Sequence, residues 1–252
     1  MSDFDRNTAA RGGFAGRAVA VDAGLRAYML RVYNYMAAAV ALSGAVAWFT
    51  YNAAVVTDAA GKITGLTPFG QAVFGGPMMI VLLLATLGLV FFISFRIDHL
   101  QFTTALTLFM VYAALLGLTL APIFLVYTGA SVTRVFFISA ASFGALSLWG
   151  YTTQRDLSGF GSFLIMGLFG IIIASLVNIF LKSSGLDWAI SVIGVGVFAG
   201  LTAYDTQRIK EMYDVSDDGT AAGRKAVMGA LSLYLDFINL FIMLLRLIGD
   251  RR

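Results

Sequence analysis

Two aspartates stand inside stretches that are otherwise oily, Asp205 in "GLTAYDTQRI" (200–209) and Asp236 in "LSLYLDFINL" (231–240). A carboxylate at bilayer depth costs at least about 2.5 kcal/mol on insertion scales, so an isolated charged Asp is disfavoured there. Two facing carboxyls remove the difficulty by sharing a proton, and they then titrate as one unit. The chemistry open to such a pair is proton sensing, because losing the shared proton turns a hydrogen bond between two helices into a repulsion. Oxygen donors suited to a hard cation lie close by in sequence. Thr202 is one turn before Asp205, Ser232 one turn before Asp236 and Asn239 one turn after it. Arg208, one turn after Asp205, offers a cationic neighbour.

The elements that must hold these residues are membrane helices. Of 252 residues, 59% are hydrophobic and 12% charged, far from the roughly 25% charged residues of a soluble domain. The net charge of +3 comes from 13 Arg and 4 Lys scattered at the ends of apolar runs, which form no basic stripe for nucleic acid. The absence of Cys excludes disulfides, a thiol nucleophile and a Cys-based metal site. Measured against the ~20 residues that a helix needs to cross a bilayer, seven runs qualify: Val32–Tyr51, Met78–Phe95, Phe102–Tyr127, Val132–Tyr151, Gly159–Leu181, Trp188–Gln207 and Ala226–Ile248. Residues 1–27 read as a flexible cytoplasmic tail and 28–252 as the seven-helix domain.

Positive-inside counting orients the bundle. With a cytoplasmic N-terminus, 11 Lys and Arg fall on inner segments and 6 on outer ones, and seven crossings put the C-terminus outside, although the arginines of "GDRR" favour the other side. Arg over Lys, abundant Ala and Gly, and no long basic C-terminal tail point to a bacterial inner membrane. Gly196 and Gly200 form a small-xxx-small pair for close helix approach. Pro122 should kink or end its helix, Arg246 should snorkel to an interface, and His99 reads as a surface residue.

A simple geometric relation joins the two aspartates. In a helical hairpin, residues equally far from the turn lie at equal depth, and Asp205 and Asp236 share a midpoint at Gly219–Thr220, inside the turn-like "YDVSDDGTAAG". If the sixth helix runs to about Asp214 and the seventh starts near Val227, each aspartate lies about 13 Å along the axis from the turn. On the seventh helix Ser232, Asp236, Asn239 and Arg246 form one polar stripe, while Leu233, Phe237, Phe241 and Leu244 point elsewhere. Such a helix suits the middle of a bundle. The pair can serve as interhelical glue, contributing about 0.6 kcal/mol, or as a functional site, the commoner role of intramembrane acids.

The stretches "YDTQRI" (204–209), "LSLYLDFINLFIMLLRLIG" (231–249) and "SFGALSLWGYTTQRDLSGFG" (142–161) resemble the signature segments of the Bax inhibitor 1, or transmembrane Bax inhibitor motif, family. The resemblance runs from about Arg26 onward and does not include the Gly-rich head. It implies an all-α integral membrane protein whose seven transmembrane helices form two three-helix layers around a central C-terminal helix. It also implies a pH-sensitive calcium leak gated by a hydrogen-bonded aspartate pair, which by motif match falls on Asp205 and Asp236. Calcium ions would then meet that pair in transit, with Thr202, Ser232 and Asn239 along the path. Calcium ions and protons would be the cargo, membrane lipid the surroundings, and no bound cofactor or enzymatic role is expected. An arginine near the end of the second helix can contact the pair in the family. Arg96 is the match, although "FRIDHL" departs from the family pattern, and Arg208 is the other gate partner in reach.

Two further readings stay open. Tyr204-Asp205 also resembles the first motif of intramembrane aspartyl proteases, yet Leu233-Tyr234-Leu235-Asp236 stands where those enzymes carry Gly-x-Gly-Asp, and their Pro-Ala-Leu motif is missing. The third reading is a non-conducting scaffold that binds other membrane proteins. The sequence names no such protein partner.

Overall fold

Long uncharged apolar runs have one open-chain solution in lipid, a helix that satisfies its backbone N–H and C=O groups internally. The computed structural model describes residues 3–59 and 62–252, with residues 3–22 given as backbone alone, and is built of such helices. In chain order the elements are α1 (Asp3–Ala54), β1 (Val55–Thr57), β2 (Ile63–Leu66), α2 (Pro68–Phe74), α3 (Pro77–Arg96), α4 (Phe102–Leu120), α5 (Ile123–Val126), α6 (Gly129–Thr152), α7 (Ser158–Leu181), α8 (Ser184–Glu211) and α9 (Gly219–Ile248). Among the described residues, seven stretches are long and apolar enough to cross a membrane: Ala23–Ala54, Pro77–His99, Phe102–Val126, Gly129–Thr152, Ser158–Leu181, Ser184–Glu211 and Gly219–Ile248. Each contains or closely overlaps one of the seven expected runs. The chain is an all-α membrane protein. The expected tail over residues 1–27 falls mostly on residues 1–22, whose side chains lie outside the described residues.

Helix ends follow local chemistry. Thr128, Ser183 and Asp218 each accept a backbone N–H through their side chains at the starts of α6, α8 and α9, as N-caps do. Pro122 ends α4 as expected, and a short α5 resumes at Ile123. The β1–β2 hairpin pairs antiparallel, with an irregularity between Val56 and Thr57. The sequence reading did not foresee it, since strands this short carry no usable period.

α1 and α3 both pack on α4, and α6 and α7 both pack on α8, while α9 touches α1, α4, α6 and α8. In its most apolar stretch α9 has 56% of its residues buried, against 11% for α3 and for α7. α9 is therefore the core helix, and α3 and α7 present most of their surface to lipid. Backbones come closest where glycine removes the Cβ: Gly150 of α6 lies on the backbone of Ala203, and Gly117 of α4 on that of Ser43. The expected Gly196–Gly200 contact is corrected. Gly200 receives the side chains of Leu164 and Phe160, whereas Gly196 faces open space, because the pair's shared face is only partly covered by a neighbour.

The hairpin geometry is corrected too. α8 stops at Glu211, before Asp214, and α9 starts at Gly219, well before Val227. The cause is local: Asp218 Oδ1 accepts the N–H of Ala221 at 2.6 Å, so Gly219 and Thr220 form the first turn of α9 rather than the crown of a loop. Residues 212–218 fold back beside that turn, where Lys225 meets Asp217 at 2.6 Å. In the same loop the N–H and hydroxyl of Ser216 both donate to Asp214 Oδ1 at 2.8 Å, which holds the Asp214 carboxyl below the usual carboxylate range.

Contacts at its two ends show that α9 runs the full height of the bundle. At its start Arg224 donates to the carbonyl of Asp98 at 2.8 Å, in the α3–α4 turn. At its other end Arg246 lies 3.5 Å from Asp187 at the start of α8. Beyond it the C-terminal residues clasp the α5–α6 turn: Thr128 N donates to the Asp250 carbonyl at 3.1 Å and Arg252 N to that of Val126 at 2.9 Å. The "GDRR" end thus shares a face with the α5–α6 and α7–α8 turns, opposite the α3–α4 turn.

Candidate functional site: a carboxyl pair between two helices

One stretch of α8, residues 203–210, ties the helix to most of its neighbours. The backbone of Ala203 meets Gly150, and the ring of Tyr204 lies where a Cβ on Gly161 would collide. The Thr206 hydroxyl is 2.8 Å from that of Ser147, which is 2.6 Å from the phenol of Tyr33. Gln207 accepts the Leu157 N–H at 2.9 Å and donates to the Arg155 carbonyl at 2.8 Å, closing the α6–α7 loop. Ile209 packs where Gly229 of α9 lacks a side chain. Lys210 Nζ donates to the Tyr151 carbonyl at 2.9 Å. These contacts, made in several directions, fix the height and rotation of Asp205.

The facing segment of α9 is held equally firmly. Tyr234 is fully buried, its hydroxyl 2.6 Å from that of Ser43, and its ring meets Phe109 and Tyr112 edge-on. Two residues on, Asp236 is 5% exposed. The carboxyl of Asp205 on α8 stands close enough for the two groups to act on each other. The Oδ2 of Asp236 is buried and has no hydrogen-bond partner among the described residues. Since an ionised carboxylate only accepts, these two groups can hydrogen-bond to each other only when one of them carries a proton. Arg208 is the cation close enough to act on Asp205 through space.

A small cavity of about 50 Å³ opens beside Asp205, lined also by Arg208, Met228, Gly229 and Ser232. It has room for about one or two waters at ~30 Å³ each. Of the three expected path oxygens, Ser232 alone shares this cavity with Asp205. Thr202 donates its hydroxyl to the Phe198 carbonyl and Asn239 its amide to the Leu235 carbonyl, both at 2.8 Å, so both side chains are turned back on their own helices. Arg96 is exposed in the last turn of α3, and among the described residues it forms no ion pair with either aspartate. Arg208 takes the place at the pair instead. His99 is exposed, as expected. Among the described residues no group of three or more His, Cys, Asp or Glu forms a metal cluster, so the two carboxyls stand without a third acid.

The sequence reading missed Tyr33, Ser147, Thr206 and Gln207. A signal existed for three of them, because Ser147, Thr206 and Gln207 are polar residues within the very stretches that carry the family resemblance, and a polar group buried in lipid needs a partner. Tyr33 gave none, its partner Ser147 lying far along the chain.

Residues 25–252 match the family described as Inhibitor of apoptosis-promoting Bax1. The chain is 49% identical over 232 residues to the inner membrane protein YbhL of Escherichia coli K12, covering 91% of this chain and 94% of that one. It is 48% identical over 231 residues to protein RP147 of Rickettsia prowazekii, covering 92% of each. It is 36% identical over 228 residues to the membrane protein SpyM3_0260 of Streptococcus pyogenes serotype M3, covering 90% of this chain and 94% of that one.

Proposed function

The chain belongs to the family of inhibitors of apoptosis-promoting Bax1, and on that premise we propose that it is a pH-gated calcium leak of a bacterial inner membrane. In the closed state Asp205 and Asp236 share a proton and lock α8 to α9. A rise in pH removes that proton and leaves two negative charges in contact where the dielectric is low and their repulsion strong. The helices then part beside the small cavity at Ser232, and cations pass along the Ser232–Asp236–Asn239 seam. Calcium takes six to eight oxygen ligands. Two carboxylates, Ser232 and a few waters give it a weak, transient seat, to which the Asn239 Oδ1 and the Thr202 hydroxyl lone pairs, unused in the bonds these side chains donate, can add.

The observation that carries this reading is the juxtaposition of the two carboxyls between α8 and α9, with the buried Asp236 Oδ2 left without a hydrogen-bond partner among the described residues. Plain interhelical glue would not need a group whose bond exists in only one protonation state. The cavity of about 50 Å³ is too small for a peptide and its attacking water, which favours the leak over an aspartyl protease. The inner-membrane location follows the E. coli relative, which is named as an inner membrane protein. The test is calcium entry into proteoliposomes holding the purified protein, from about pH 5 to about pH 8. Entry that rises with pH supports the proposal. Folded protein that passes no calcium at any pH overturns it and leaves the scaffold.

A further inference from the structure

α1 and α6 both pack on α9 but hardly on each other. They are bridged by the 2.6 Å contact of Tyr33 with Ser147. A groove of about 570 Å³ runs between them from Arg26 past that bridge, lined by Arg26, Met29 and Leu30 of α1 and by Phe143, Gly144 and Leu148 of α6. This lies within the roughly 300–1,000 Å³ of small-molecule sites. Gly144 is informative. Glycine weakens a helix interior and in a membrane usually lets another backbone approach, yet a Cβ built here meets nothing within 4 Å. It leaves volume rather than contact. Leu30 and Leu148, at 56% and 63% exposed, flank an opening toward the hydrocarbon. At the mouth stands Arg26, exposed and without an acidic partner among the described residues, about 10 Å along α1 from Tyr33. Lys210 lies 5.3 Å from the ring of Tyr151 on the same rim. An apolar trough with cations at one end fits a molecule with an apolar tail and an anionic head.

We infer that the groove between α1 and α6 is a lipid site, which holds one acyl chain of an anionic phospholipid with its phosphate at Arg26. The inference stands apart from the calcium reading, since it needs only the membrane setting and the cavity. The bound chain would run from Arg26 across the Tyr33–Ser147 bridge to the open space at Gly144.

The test uses the full-length protein in phosphatidylcholine nanodiscs, with phosphatidylglycerol or phosphatidylcholine bearing a diazirine on one acyl chain as the probe. The phosphatidylglycerol probe should label peptides holding Met29 and Leu148, and unlabelled phosphatidylglycerol should displace it while added phosphatidylcholine does not. Gly144→Leu fills the open space and should abolish this labelling while labelling of the lipid-facing α3 persists. Arg26→Gln should keep the labelling but cut the preference for phosphatidylglycerol about tenfold, the worth of one charge-assisted hydrogen bond. Labelling spread evenly around the bundle overturns the inference. So does labelling of the wild type that phosphatidylglycerol cannot displace, an outcome that needs no variant to fold. Labelling by a diazirine fatty acid and by neither phospholipid overturns the assignment of the headgroup.

Discussion

The hydroxyl of Thr206 on α8 lies 2.8 Å from that of Ser147 on α6, one residue from Asp205, and the chain continues 2.6 Å to Tyr33 on α1. Three helices thus meet through hydroxyls beside the carboxyl pair. Ser147→Ala leaves Thr206 and Tyr33 without that partner and should destabilise the protein by about 1–3 kcal/mol, read as a lower unfolding temperature in detergent. Because the chain helps to place α8, the same variant should also shift the midpoint of the pH profile of calcium entry without flattening it. An unchanged midpoint would separate the hydroxyl chain from the gate.

Gln207 is the next residue whose loss should be felt. It accepts from Leu157 and donates to Arg155, so Gln207→Leu strands two backbone groups of the α6–α7 loop at a cost of about 1–3 kcal/mol. Hydrogen exchange at Leu157 should quicken while exchange in α9 stays slow. Equal protection in both proteins would mean that the loop is held by something else.

Two glycines should respond in opposite ways to the same substitution. Gly150 touches the backbone of Ala203, whereas Gly196 faces open space. Gly150→Ala must push α6 off α8 and should lower the unfolding temperature sharply. Gly196→Ala gains the helix preference of alanine, about 0.5–1 kcal/mol, and should leave that temperature unchanged or raised. The reverse order would contradict the packing described for α6 and α8.

The seven spans and the aspartate pair were legible because length, apolarity and isolated acids are strong signals in a membrane chain. The register of α8 on α9 was legible for a reason that proved incomplete. Asp205 and Asp236 do meet, but α9 begins at Gly219, so the crown of the turn does not set the register. Contacts along the helices do, such as Ile209 at Gly229 and Met243 at Gly194. Spacing put Thr202 and Asn239 near the pair but did not report that each donates to a backbone carbonyl one turn back. Arg96 was proposed by motif match, yet the nearer cation, Arg208, follows from helical spacing alone.

The orientation of the bundle rests on the count of 11 inner and 6 outer basic residues. Reporter fusions at Gly223 should report the cytoplasm and fusions at Lys62 the outside. A reporter after Arg252 should agree with Lys62, because the C-terminal residues clasp the α5–α6 turn on the face opposite the α3–α4 turn. A cytoplasmic signal at both Gly223 and Lys62 would contradict the orientation.

The central claim is that Asp205 and Asp236 gate a cation path by sharing a proton. Asparagine keeps the size and hydrogen bonding of either residue and removes its titration. The most direct measurement is therefore calcium entry into proteoliposomes across a pH series, for the wild type and for Asp205→Asn and Asp236→Asn, with folding checked by circular dichroism and elution profile. The account predicts entry that rises with pH in the wild type and a flat profile in each variant. Folded variants that keep the wild-type pH profile would contradict it, reduce the pair to interhelical glue, and move the pH response to another group.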